Sequence, residues 1–230
     1  MIIILNNKSN LSKEEFIKYQ EKLGEIKSPY EMVLCPTYLN ISLFNLDNMS
    51  LGSQNVSCNN DGAYTGEISA SSLRKSAVSY SLVGHSERRT YQKETNKEIN
   101  EKIKRLLEND ITPVLCVGET KEERENNQVE EVIKKQILEA IEGITPSNIE
   151  KLIIAYEPIW SIGTGLIPRL EDIIRVNKFI GEMLPYNKIV YGGSANEKNI
   201  EDLKSEEIDG YLLGGLSLKP QQLQTFIDKL

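Results

Sequence analysis

A single (β/α)8 barrel is the fold class this α/β sequence predicts, on three observations. Eight short apolar runs, often β-branched and bounded by turn residues, read as strands at 2–5, 32–35, 51–55, 80–83, 114–117, 152–156, 189–191 and 211–213. Stretches with the i, i+3, i+4 spacing of a helix face lie between them. The alternation fills 230 residues, near the short end for a barrel, with no Ser/Gly-rich linker or composition shift to divide it, so residues 1–230 are expected to form one domain. An open doubly wound sheet shows the same alternation, and pattern alone leaves it standing.

The elements follow in order. Ile2 to Leu5 is a short aliphatic run that stops at Asn6-Asn7-Lys8. Ser12 with Glu15 reads as a capping box, in which each side chain satisfies the other's backbone N–H, and it opens the first helix. The second strand stops at Cys35-Pro36-Thr37, and the fourth at Gly84-His85. Thr95 with Glu98 caps a helix whose apolar face is Ile99, Ile103, Leu106 and Leu107. Thr120 with Glu123 caps the segment after the fifth strand. The next helix carries Val129, Val132, Ile133, Ile137, Ala140 and Ile141, with Gln136 as the one polar exception on that face. The sixth strand runs into Glu157-Pro158, and the last helix, near 221–230, presents Leu223, Phe226, Ile227 and Leu230.

Composition excludes several classes of function. With 39% hydrophobic and 27% charged residues, the chain is neither collagen-like nor disordered. Its longest purely apolar run, Met1 to Leu5, is far short of the roughly 18–20 residues that span a bilayer, and no basic n-region precedes it. A cytoplasmic protein without a membrane partner is expected. Net charge is −7, and no Lys/Arg cluster offers the basic footprint that nucleic acid requires. An anionic ligand must therefore be held by local charge and backbone N–H groups. Cys35, Cys58 and Cys116 are widely spaced and His85 is the one histidine, so no His/Cys metal set stands out and reduced thiols are expected.

In a barrel, chemistry collects where strands end. The ends here carry Lys8, His85 and Glu157: a cation, an imidazole and a carboxylate on one face. Each alone has an ordinary structural explanation. Their convergence, beside the glycine-bearing turns Gly163-Thr164-Gly165, Tyr191-Gly192-Gly193-Ser194 and Gly214-Gly215, suggests a phosphate cradle built from backbone N–H groups.

The sequence resembles the triosephosphate isomerases, the family that gives the TIM barrel its name. The matching stretches are Gly84-His85-Ser86-Glu87-Arg88-Arg89, Leu115 to Glu119, Ala155 to Trp160 with Gly163-Thr164-Gly165, Tyr191 to Ser194 and Asp209 to Gly215. Gln54-Asn55 and Gly62 to Glu67 match too, in family order over nearly the whole chain. The resemblance implies interconversion of dihydroxyacetone phosphate and D-glyceraldehyde 3-phosphate through an enediolate, in glycolysis and gluconeogenesis. It implies no metal and no organic cofactor. Glu157 matches the base. His85 matches the electrophile and is expected to act as a neutral imidazole at the start of a helix. Lys8 matches the cation facing phosphate and enediolate, with Asn6 and Glu87 as its positioning neighbours. The phosphate is expected on N–H groups of Gly163, Ser194, Gly214 and Gly215, with residues 158–168 as a closing lid.

The resemblance also implies a homodimer. Residues 56–67 match a loop that enters a partner subunit, where Thr65 is expected to approach Asn6 and Glu87. Three departures stand out. The usual Gly-Asn-Trp-Lys-Met-Asn is Leu5-Asn6-Asn7-Lys8-Ser9-Asn10, which predicts loss of apolar packing beside Lys8. The usual Cys-Pro-Pro is Cys35-Pro36-Thr37. The lid's second hinge is Leu166-Ile167-Pro168, and proline lacks the N–H that family lids give to the tyrosine matched by Tyr191, so Ser194 and a neighbouring lid N–H are expected to carry the latch. The rival reading from another class is a non-catalytic phosphate-binding barrel with a scaffolding role.

Overall fold

The structure is a computed structural model that describes residues 1–162, 164 and 166–230. Its strands are β1 (Ile2–Asn6), β2 (Glu31–Cys35), β3 (Ser50–Ser53), β4 (Tyr80–Val83), β5 (Thr112–Val117), β6 (Ile153–Tyr156), β7 (Lys188–Tyr191) and β8 (Gly210–Leu213). The longer helices between and after them are α1 (Lys13–Gly24), α5 (Asn96–Glu108), α7 (Val129–Ala140), α9 (Leu170–Met183) and α11 (Pro220–Asp228). Shorter ones are α2 (Tyr38–Ile41), α3 (Ala70–Lys75), α4 (Ser86–Tyr91), α6 (Lys121–Glu125), α8 (Pro146–Ile149) and α10 (Ile200–Leu203), with 3-10 turns at Ile159–Ser161 and Gly215–Leu218.

All strand pairs are parallel, in sequence order, and β8 pairs back onto β1 with Ile3 opposite Tyr211. That closing pair rules out the open sheet. In β1 every residue is buried, because successive side chains alternate between two covered faces. Ile2 and Ile4 point into the barrel with Val33, Cys35, Leu82, Val114, Cys116, Ala155, Val190 and Leu212. Ile3 and Leu5 point outward, into the layer shared with Phe16, Leu23, Ile103, Ile133, Ile180 and Phe226 of the helices.

The three expected capping boxes form with both halves present, at Ser12/Glu15, Thr95/Glu98 and Thr120/Glu123. Each such N-cap contributes about 0.5–2 kcal/mol. Gln136, the polar exception of α7, has a specific partner. Its amide pairs with both backbone groups of Gly118, accepting from the N–H at 2.9 Å and donating to the carbonyl at 3.0 Å. Gly118 must be glycine, since a Cβ there would lie 1.8 Å from the carbonyl oxygen of Glu157. The helix thus holds the end of β5 flat against the start of the loop that carries Glu157.

Candidate active site

At the carboxyl ends of the strands a cavity of about 410 Å³ opens, lined by Asn6, Lys8, His85, Glu157, Ser194, Gly214 and Gly215. Seven of the expected site residues therefore meet in one place. Glu87 stands behind them, with its carboxylate 2.5 Å from Lys8 Nζ. Gly163 lies outside the described residues.

Lys8 sits in the left-handed region, with φ of 53°. Its N–H donates to Asn6 Oδ1 at 3.0 Å, and its carbonyl accepts from Gln54 Nε2 at 2.8 Å. The expected loss of packing beside it takes another form. Asn7 is buried and its amide donates to Tyr19 and Ser217, each at 3.2 Å, so hydrogen bonds stand where apolar contacts were expected to be missing.

His85 is the N-cap of α4. Its Nδ1 accepts the N–H of Glu87 at 3.2 Å, so the ring proton of the neutral form resides on Nε2, the nitrogen nearest Glu157. Glu157 is buried at the end of β6, with Oε1 3.2 Å from His85 Nε2, while Ser86 N–H donates to Oε2 at 3.1 Å. Gly192 gives it room: a Cβ there would come within 2.8 Å of Glu157 Cγ. The arrangement places a proton acceptor, a proton donor and an ammonium around one cavity.

The segment after Glu157 is pinned by a second carboxylate, fully buried Glu119. Glu119 Oε1 accepts from Trp160 Nε1 at 2.8 Å, and Glu119 Oε2 accepts from the Tyr156 hydroxyl at 3.1 Å. Arg124 lies 4.8 Å over the Trp160 ring and pairs with Asp172 of α9 at 2.9 Å. Burial pushes the Glu119 carboxyl above the usual carboxylate range, against the lowering effect of these donors.

On the other side, Ser194 Oγ donates to the Ser161 carbonyl at 2.6 Å, which ties the turn after β7 to the segment that follows Glu157. The Tyr191 hydroxyl and Ser161 Oγ are both buried and have no hydrogen-bond partner among the described residues. Burial raises the Tyr191 hydroxyl to about 12. Sequence reasoning missed Lys198 and Lys219, two further cations on the cavity lining. Their signal is faint, being no more than a lysine a few residues past β7 and another past β8. Among the described residues no set of three or more His, Cys, Asp or Glu side chains is arranged to hold a metal ion.

A family model described as triosephosphate isomerase matches residues 1–230. A triosephosphate isomerase of Dictyoglomus thermophilum is 43% identical over 228 residues, covering 93% of this chain and 92% of the relative. One from Mycoplasmopsis pulmonis is 42% identical over 234 residues, covering 95% and 93%. The crystal structure of triosephosphate isomerase from Bartonella henselae superposes with a TM-score of 0.87 at 30% identity, over 99% of this chain and 98% of that one. A closed barrel of this sequence, with these residues at its strand ends and relatives this similar over nearly their whole length, belongs to the triosephosphate isomerase family.

Proposed function

We propose that this protein interconverts dihydroxyacetone phosphate and D-glyceraldehyde 3-phosphate, with Glu157 as the base. The observation that carries the reading is the position of the Glu157 carboxylate, 3.2 Å from His85 Nε2 and in the same cavity as Lys8. The substrate carbonyl oxygen takes the Nε2–H of His85, and Lys8 stabilises the oxyanion that forms. Glu157 leaves the N–H of Ser86, removes a proton from the carbon beside the carbonyl and returns it to the neighbouring carbon. His85 moves the proton between the two oxygens. Asn6 and Glu87 position Lys8, and the N–H groups near Ser194, Gly214 and Gly215 hold the phosphate, with Gly163 assigned there by resemblance. Closure of residues 158–168 excludes water and protects the enediolate. The non-catalytic scaffolding alternative finds no support in the comparisons.

Residues 1–230 form one domain, supported by the neighbouring first and last strands. Two copies associate through residues 56–67, whose stretch 60–67 is exposed. The protein works in the cytoplasm, a reading that rests on its activity; among the described residues no helix is long and apolar enough to cross a membrane. A coupled assay with D-glyceraldehyde 3-phosphate tests the activity: pure, folded protein should yield dihydroxyacetone phosphate, and no turnover would overturn the proposal.

A further inference from the structure

Asn7 follows the last residue of β1 and has no place in the chemistry above, yet it is only 1% exposed. Its side chain joins three parts of the fold. Nδ2 donates to the Tyr19 hydroxyl of α1 and to Ser217 Oγ in the 3-10 turn Gly215–Leu218, both at 3.2 Å. The two hydroxyl protons are already committed, that of Ser217 to the Asn6 carbonyl at 3.1 Å and that of Tyr19 to the Ser217 carbonyl. The network therefore fixes the amide orientation. A flipped Asn7 would set its carbonyl oxygen against two oxygens with no proton left to give. The carbonyl of Asn7 is held in turn by Asn10 Nδ2 at 2.7 Å.

The location of this network matters for Lys8. A left-handed φ at a non-glycine residue persists where its surroundings over-determine it. Both backbone groups of Lys8 are bonded, and Asn7 immediately before it is held on both its side chain and its carbonyl. The Lys8 stem passes close over Gly214, where a Cβ would lie 3.2 Å from Lys8 Cε. The same Ser217 that receives the Asn7 amide belongs to the turn that follows Gly214. One buried amide thus sets the Lys8 backbone against the glycine turn across the cavity.

We infer that Asn7 is a positioning residue, whose two amide hydrogen bonds to Tyr19 and Ser217 aim the Lys8 ammonium at a bound phosphate. The inference rests on the reading of this cavity as a phosphate site. Its test is the affinity for inorganic phosphate, measured by calorimetry at one fixed ionic strength, because screening alters charge-dependent binding. Asn7→Leu keeps the branched skeleton of the side chain and removes both donors. It should weaken phosphate binding about tenfold in the otherwise native chain, roughly 1.4 kcal/mol by the ordinary conversion. In a Lys8→Met background it should change phosphate affinity by less than about twofold, while lowering the melting temperature equally in both backgrounds. A structural role alone would move the melting temperature and leave that contrast out. Asn7→Ala serves if the leucine variant does not fold, and a chain that folds with neither substitution would make Asn7 structural and overturn the inference. An unchanged phosphate affinity, or the same tenfold loss without Lys8, would also overturn it. An unmodified protein that does not hold phosphate would instead overturn the reading of the cavity, and this inference with it.

Discussion

Glu119 is a carboxylate without exposed surface, and its neighbours show what the protein gains by keeping it: a hydroxyl, an indole N–H and a guanidinium converge on it, and they fix the segment after Glu157. Burial raises its folded pKa above the ordinary value of 4.5. Below the ordinary value both folded and unfolded chains hold the proton. Above it the folded chain binds more protons than the unfolded one, so this residue's contribution to stability falls as pH rises through that window and stays reduced beyond it. Glu119→Gln should remove that component. Urea unfolding from about pH 4 to 7 should then show a stability difference between the two proteins that changes with pH, and a constant difference would contradict the assignment. Burial likewise pushes the Cys35 and Cys116 thiols up, so neither should take iodoacetamide in the native state, as intact mass would show. Lys8, His85 and Glu157 are legible in the sequence because each is a polar residue placed within three residues of the end of an apolar strand run. The partners of Asn7 are not legible, since Ser217 stands 210 positions away and only barrel closure brings it to β1.

Elements differ in how well their ends can be read. The sequence extends the third strand to Asn55, whereas β3 stops at Ser53. Gln54 leaves the ladder to send its amide to the carbonyls of Lys8 and Cys35, a long-range bond that β propensity does not register. Helix starts are read correctly at all three capping boxes, because the signal is local and its partners are three residues apart. The lid is where a local departure has an effect beyond its position. Pro168 cannot donate to Tyr191, and the structure leaves the Tyr191 hydroxyl buried without a partner among the described residues. A hydrogen bond of the kind the proline removes is worth about 0.5–1.5 kcal/mol net. Tyr191→Phe should therefore lower kcat/KM less than about threefold. A hundredfold loss in steady-state kinetics would show that the closed lid supplies Tyr191 with a donor.

At the scale of the whole molecule, closure of β8 onto β1 brings residues from the first and last eighths of the chain to one cavity, and two-fold assembly is proposed to complete the surface around it. Leu39 is 88% exposed and Tyr64, near the tip of the 56–67 loop, is 49% exposed, as apolar side chains awaiting a second copy would be. Light scattering at micromolar concentration should give twice 26.0 kDa, and shortening the loop should give a weakly active monomer. An unmodified chain that is fully active as a monomer would refute the assembly without touching the chemistry. The chemistry stands on Glu157. Glu157→Asp retracts the carboxylate by about 1 Å, and a displacement of that size can cost on the order of 10²-fold in rate. The direct measurement is kcat for isomerisation of D-glyceraldehyde 3-phosphate by this variant. It should fall by about 10²-fold in a protein that folds and binds phosphate normally, and a kcat close to that of the unmodified protein would contradict the assignment of Glu157 as the base.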